Sequence, residues 1–255
     1  MVTIKTENEI ALLREGGKHL ARVLEALIKA ARPGVSAVEL DKLAERLVRE
    51  NRDIPSFLNY KAKGSKQNFP ASLCISVNDE VVHGLPKKGQ VITEGDIVAL
   101  DMGLIHEKMY LDSAVTVAVG KVDETAAKLI QITKDALSVG IKAARAGKHT
   151  GDIGYAIERF IKPTGFGIVR ELAGHGVGYD VHEDPYIPNY GKRGRGDLLK
   201  PGMVIAIEPM INEGGDDIYV DDDGFTFRTK DGKRSAHFEH TVLITNGEAE
   251  VLTGR

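Results

Sequence analysis

The 255-residue sequence contains one cysteine, no tryptophan and little net charge. Because Cys74 stands alone, the chain can form no internal disulfide, and we expect a reducing, cytoplasmic environment. The formal net charge of −3 does not indicate nucleic acid or an anionic membrane as the main partner. No apolar run approaches the roughly 18 residues of a membrane-spanning helix, and segment 1–7 has no apolar signal core.

Four segments carry the signals of helices. Residues 6–9 and 36–39 each have the pattern of a capping box, and each precedes apolar residues at helical spacing. Two further helices are predicted, one that starts within residues 121–124 and ends at residues 146–147, and one across residues 153–161. Short apolar strands are predicted between the second and third helices and after the fourth.

Two apolar strands each carry an aspartate where a core residue is expected. The first is predicted over residues 97–101 and the second over residues 109–117, with a short loop between them. A buried, ionised carboxylate without a partner costs several kcal/mol or more. Asp101 and Asp112 would also repel each other unless a cation lay between them. The alternative is one aspartate at a strand end and one exposed in a loop.

Four short matches recur in the same order in both halves of the sequence. They pair residues 31–34 with 144–147 (shift 113), 82–83 with 181–182 (shift 99), 95–101 with 202–208 (shift 107) and 111–112 with 238–239 (shift 127). Because the order is preserved, we predict a single domain over residues 1–255 that arose by internal duplication. Its halves, roughly 5–120 and 121–255, would be related by a pseudo-two-fold axis.

The predicted duplication brings four carboxylates together. It would place Asp101 opposite Glu208 and Asp112 opposite Glu239. Four buried negative charges near one axis require roughly two divalent cations, so the pattern predicts a dinuclear metal site. Carboxylate and imidazole ligands without thiolate suit Mn, Fe, Co or Zn, and the ligand set does not choose among these metals.

Two histidines accompany a Gly-His-Gly-Val-Gly motif at residues 174–178. The glycines beside His175 would let the backbone approach a metal ion or a substrate, and we predict His175 as a further ligand. His182 falls on His83 in the predicted repeat. Paired cations about 3.5–4 Å apart activate water, which indicates hydrolysis. His83 and His182 would then hydrogen-bond the substrate amide and the developing oxyanion.

Taken in order, these residues resemble the type I methionine aminopeptidases. The matching positions are Asp101, Asp112, His175, His182, Glu208 and Glu239, with the segments 174–178, 200–203, 207–209 and 238–241. The resemblance implies an α/β (α+β) pita-bread fold, with two pseudo-two-fold-related halves and a central, mostly antiparallel curved sheet covered by helices. It also implies a hydrolase of protein maturation that removes the initiator methionine from nascent polypeptides when the next residue is small.

The resemblance also implies roles for the metal ligands. Asp101 and Asp112 would bind one ion. Asp112 and Glu239 would bridge both ions, and His175 with Glu208 would complete the second. Glu208 would also be the general base, so that water activated by the two ions attacks the scissile carbonyl.

The remaining implied roles concern the substrate. His83 and His182 would position the peptide and stabilise the tetrahedral intermediate. Phe69, Cys74 and Phe225 would form walls of the methionine pocket. We expect a monomer that acts on the N-terminal methionine of nascent polypeptides, without specific binding to nucleic acid or membranes.

Two other functions fit the same scaffold. One is a prolidase or X-Pro aminopeptidase, although those enzymes usually carry an additional N-terminal domain. The other is a non-enzymatic pita-bread binding protein, although such proteins typically lose metal ligands.

Two charged segments receive simpler interpretations. Residues 192–195 are basic and predict an exposed turn, with transient ribosome contact as the alternative. Residues 221–224 predict a solvated hairpin turn rather than a calcium loop, because position 219 is Tyr.

Overall fold

The computed structural model describes residues 2–61 and 67–254. Within them the chain forms four α-helices: α1 Glu7–Ala30, α2 Ala37–Glu50, α3 Glu124–Ala143 and α4 Thr150–Ile161, the last continued by a 3₁₀ turn at Lys162–Thr164. Both predicted capping boxes form, with Thr6 and Ser36 as the cap residues, and Asp123 caps α3. None of these four helices is long and apolar enough to cross a membrane.

The strands are short, apart from one long hairpin, and their pairings are antiparallel. Their bounds are β1 Ile54–Pro55, β2 Cys74–Val77, β3 Glu80–Val82, β4 Ile97–His106, β5 Met109–Ala118, β6 Gly167–Ile168, β7 Gly174–Gly176, β8 Glu183–Ile187, β9 Val204–Ile207, β10 Met210–Asn212, β11 Ile218–Val220, β12 Phe227–Thr229, β13 Ser235–His237, β14 His240–Leu243 and β15 Glu250–Val251. The polar residues 51–70 also predict a loop, long enough to be suspected of a function. Part of it, residues 62–66, lies outside the described residues.

The hairpin of β4 and β5 is longer than the sequence indicated. The predicted loop after Asp101 is wrong, because β4 continues to His106 and pairs with β5 over ten residues. The register places Gly103 opposite Asp112 and Asp101 opposite Ala114. Since side chains alternate between the two faces of a strand, Asp101 and Asp112 lie on the same face.

Two sheets meet at the centre of the molecule. In one, β4 pairs with β1, β2 and β5, and the other has the order β15-β14-β9-β7-β8. Ala114 on β5 and Glu239 before β14 exchange backbone hydrogen bonds of 3.4 and 3.0 Å, which joins the sheets. α1 packs on the β4–β5 hairpin, and its apolar stripe, including Leu13 and Leu20, is fully buried.

Backbone contacts recur at the shifts that the sequence matches suggested. The Gly34 amide donates to Ile92 O and the Gly147 amide donates to Leu199 O, both at 2.9 Å. Gly147 lies 113 residues after Gly34, and Leu199 lies 107 residues after Ile92, which are two of the shifts found in the sequence. Such repeated contacts are what an internal duplication would produce, and the duplication itself stays a prediction.

One of the four proposed matches is displaced by two residues. Thr241 Oγ1 accepts from the Asp112 amide and donates to Asp112 O, and Thr116 Oγ1 makes the same two contacts with His237. These paired contacts relate Asp112 to His237, so Asp112 and Glu239 are not equivalent positions. A slip of two residues leaves every side chain on its original face, which is why the apolar pattern did not reveal it.

Candidate active site

A cavity of about 290 Å³ lies where the two sheets meet, and it is lined by all ten residues proposed from the sequence. The ten are Phe69, Cys74, His83, Asp101, Asp112, His175, His182, Glu208, Phe225 and Glu239. They come from both predicted halves of the chain. The structure therefore brings the predicted site residues together, and none lies elsewhere.

Three of the carboxylates are almost fully buried. Asp101, Asp112 and Glu239 are 7%, 5% and 2% exposed, and each has one oxygen without a hydrogen-bond partner among the described residues. Burial, with a smaller contribution from the Glu208 charge, raises the pKa of Asp101 to about 6. Burial and then mutual repulsion raise the pKa values of Asp112 and Glu239 well above the usual range. Such a cluster needs compensating positive charge when it is ionised.

The donor atoms fit a divalent cation. Asp112, His175 and Glu239 each offer an oxygen or nitrogen, and these atoms lie within 4.8 Å of one another. His175 Nδ1 lies 2.9 Å from Gly176 O, which leaves Nε2 as the acceptor, 3.4 Å from Glu208 Oε1. Metal-binding histidines commonly hold the outer ring N–H in this way. Oxygen and imidazole donors at this spacing suit Mn, Fe, Co or Zn.

The glycines around His175 allow close backbone packing. A Cβ atom on Gly174 would lie 2.3 Å from Ala206 O, and one on Gly176 would lie 2.1 Å from Asp184 O. These glycines therefore allow β7 to pack between neighbouring backbones, and the packing fixes the direction of His175. The approach of this backbone to a metal or a substrate stays a prediction.

His83 and His182 lie on the cavity wall as neutral imidazoles. Burial lowers the pKa of His83 to about 4. Burial, and then the neighbouring His175 and His83, lower the pKa of His182 to about 3, although the residue is exposed at the cavity mouth. His182 Nδ1 lies 3.0 Å from the Tyr60 hydroxyl, and its ring centroid lies 4.4 Å from that of His175. A neutral imidazole can donate one N–H to a substrate.

The predicted pocket walls form one apolar side of the cavity. The Phe69 ring contacts those of Phe57 and Phe225 edge-on, with centroids 6.5 and 5.5 Å apart. Cys74 is buried beside them, and burial raises the pKa of its thiol. This side can accommodate an unbranched apolar side chain.

Sequence reasoning missed His237. It is 1% exposed, its Nε2 lies 3.5 Å from Glu208 Oε2, and neither ring nitrogen has a hydrogen-bond partner within the described ranges. One sequence signal was present, because His237 stands two residues before Glu239. The cavity is also lined by Tyr60 and Gln67, from the long loop suspected of a function.

Comparison with known proteins identifies the family. The model of metallopeptidase family M24 matches residues 11–246. The chain is 43% identical over 253 residues to the methionine aminopeptidase of Clostridium acetobutylicum and 42% identical over 253 residues to methionine aminopeptidase 1 of Bacillus subtilis, with 99% of each protein covered.

Solved structures agree with this result. A methionine aminopeptidase from Thermotoga maritima matches with a TM-score of 0.95 and 42% identity over 100% of both chains. A prolidase from Pyrococcus horikoshii shares the fold, with a TM-score of 0.76 and 23% identity over 98% of this chain and 63% of that one. The predicted pita-bread α/β fold is confirmed. The chain belongs to metallopeptidase family M24.

Proposed function

We propose that this metallopeptidase is a methionine aminopeptidase, which removes the initiator methionine from new polypeptides when the second residue is small. One observation carries the proposal: a cluster of buried carboxylates with unpartnered oxygens lies beside an apolar pocket in the same cavity. The similarity to curated methionine aminopeptidases, which extends over 99% of the chain, supports the substrate.

We assign five residues to two divalent cations. Asp101, Asp112, His175, Glu208 and Glu239 would hold them. The unpartnered oxygens of Asp101, Asp112 and Glu239 support this assignment, because each needs a further partner. Cations at this site supply Lewis-acid activation of water and of the peptide carbonyl.

Glu208 is the proposed general base. Its carboxylate lines the cavity, with its two oxygens 3.4 and 3.5 Å from Nε2 of His175 and of His237. Neither neighbour is a lysine or arginine. The carboxylate can therefore take a proton from the attacking water and pass it to the leaving amine.

His83 and His182 are proposed to hold the peptide. Both rings are neutral at physiological pH, because their pKa values lie at about 4 and about 3. Each can donate an N–H to an oxygen that gains negative charge during the reaction. Phe69, Cys74 and Phe225 are the proposed walls against which the methionine side chain packs.

The proposed biological setting is the cytoplasm, with the chain acting as a monomer on nascent polypeptides. The basic residues 192–195 are exposed, which supports the predicted turn and leaves this surface accessible to a ribosome.

The segment 221–224 forms the predicted turn between β11 and β12 but is less solvated than predicted, since Asp223 contacts Lys87 at 3.0 Å.

The test is an activity assay of the full-length chain after metal removal and refilling with Mn, Fe, Co or Zn in turn. At least one metal should restore cleavage of Met-Ala-Ser, with kcat/KM about 100-fold or more above that for Ala-Pro-Ala. A preference for Ala-Pro-Ala would indicate a prolidase-type enzyme. Failure to bind any metal would indicate a non-enzymatic binding protein.

A further inference from the structure

A second cluster of metal-ligating residues lies on the opposite face of the β4–β5 hairpin from the cavity. His19 Nδ1 lies 2.8 Å from Asp53 Oδ2, and His106 Nδ1 lies 2.7 Å from Asp53 Oδ1. His19 is on α1, Asp53 follows α2, and His106 ends β4. His106 is an odd number of residues from Asp101 along the same strand, so its side chain is on the other face. One carboxylate thus joins three segments that are distant in sequence.

The carboxylate of Asp53 is buried between two histidines. Its side chain is 1% exposed, and within the described part of the chain it has no ion pair with a lysine or an arginine. Its two side-chain partners are the imidazoles of His19 and His106. A buried carboxylate requires a positive partner or several strong hydrogen bonds. A cation between the imidazoles would supply that charge.

The surrounding scaffold holds the cluster in place. A Cβ atom on Gly16 would lie 2.7 Å from His106 Cβ, so this glycine allows α1 to pack directly against the end of β4. Glu15 lies one turn before His19 on the same face of α1, and its Oε2 is 3.7 Å from His106 Nε2. A carboxylate at the outer nitrogen is the usual partner of a metal-binding histidine.

We propose that His19, Asp53 and His106 form a second, structural site for a single divalent transition-metal cation such as zinc. The two Nδ1 atoms and an Asp53 oxygen would be the ligands, and solvent would complete the coordination at the 18% exposed His19 side. Glu15 would accept the Nε2–H of His106. Two nitrogens and one oxygen suit zinc, whereas Mg and Ca prefer oxygen alone.

One donor atom from each of the three residues lies within 4.8 Å of the other two, which is close enough for a shared ion. The separations of 2.7 and 2.8 Å join the two imidazoles to different oxygens of Asp53 and are hydrogen-bond distances. Zinc bonds of about 2.0–2.1 Å at tetrahedral angles separate neighbouring donors by roughly 3.3 Å, so the side chains would rearrange around the ion. Each imidazole would carry its proton on Nε2. The cation would then link α1 and the segment after α2 to the hairpin that carries Asp101 and Asp112.

The experiment isolates this site from the cavity. The full-length chain with Asp112→Asn and Glu239→Gln, which removes two of the five proposed ligands, is stripped of metal and titrated with zinc by calorimetry. About one equivalent of zinc should bind and should raise the melting temperature. Adding His19→Gln should weaken binding at least about tenfold. His149→Gln is the matched control, because His149 also faces an aspartate, Asp152, at 3.8 Å.

The outcomes distinguish a zinc site from a hydrogen-bonded triad without a metal. Loss of zinc binding and of the melting-temperature rise in His19→Gln, with both retained in His149→Gln, supports the site. If the His19→Gln variant does not fold, the His106→Gln variant removes the other proposed imidazole ligand instead. No zinc binding by the Asp112→Asn, Glu239→Gln chain, or equal binding after loss of His19, would overturn the proposal and leave a hydrogen-bonded triad. Either result is independent of peptidase activity.

Discussion

At the scale of single residues, Glu208 has the most demanding role. The substitution Glu208→Gln keeps the size of the side chain but removes its charge and its ability to take a proton. We expect kcat/KM for Met-Ala-Ser to fall by at least about 10³-fold, in the range for loss of a general base. The measurement is steady-state kinetics at saturating metal, with metal content determined in parallel. Activity within tenfold of the unaltered chain would exclude Glu208 as the base.

His182 allows a substrate contact to be distinguished from a metal ligand. It lies at the cavity mouth, hydrogen-bonded to Tyr60, whereas His175 points its Nε2 toward the carboxylates. His182→Ala should lower kcat/KM about 10²-fold and leave the metal content unchanged. His175→Ala is the matched comparison and should lose metal. Equal metal loss in both variants would show that His182 is itself a ligand.

Most of the site could be predicted at this scale, because ionised side chains in apolar segments are conspicuous. Asp101 and Asp112 interrupt apolar strands, and buried charges require an explanation. His237 gave no comparable signal, since a lone histidine is common in protein cores. Its proximity to Glu208 depends on the register of β13 with β10, which the sequence does not specify.

At the scale of secondary-structure elements, helix starts were predictable and the long hairpin was not. Capping boxes are local chemistry, so Thr6 and Ser36 identified α1 and α2. The β4–β5 hairpin instead turns at Glu107 and Lys108, with φ angles of 46° and 72°. Tight hairpin turns with positive φ usually contain Asn or Gly, so Glu-Lys provided no turn signal. Pairing along the hairpin stabilises this turn against its local preference.

Asp123 connects a helix cap to the acid sensitivity of the fold. Its carboxylate accepts hydrogen bonds from Arg234 and from the Ala126 amide, and these lower its pKa to about 2, with Arg234 contributing most. Because the pKa is lower in the folded state, the ionised carboxylate stabilises the fold at pH values above its unfolded pKa, near 3.8. This stabilisation is lost as the pH falls from there toward 2.

We therefore expect Asp123→Ala to lower the urea midpoint at pH 6. The difference from the unaltered chain should shrink as the pH falls below about 4, because the carboxylate becomes protonated in the unfolded state. Urea unfolding at several pH values measures this, and Asp135→Ala on the same helix is the control. A difference that stays constant from pH 6 to pH 3 would contradict the assigned ionic contribution.

At the scale of the whole molecule, the acidic cluster lies at the junction of the two sheets. Ala114 and Glu239 pair across that junction, and Thr116 and Thr241 clamp it on either side. Repulsion within the cluster therefore weakens the contact between the two sheets. The overall net charge of −3 does not reveal this local concentration.

Metal removal should consequently destabilise the whole fold. At pH 7.5 the metal-free chain should melt below the Mn-loaded chain, because the cations bind only the folded state. In the metal-free state, Asp112→Asn should raise the melting temperature by about 2–4 °C for each kcal/mol of repulsion and desolvation relieved. The melting temperature of the same variant should rise less when Mn is added. Calorimetric melting measures both effects, with the surface change Asp135→Asn as control. A lower melting temperature for metal-free Asp112→Asn would show that the carboxylates do not oppose folding without cations.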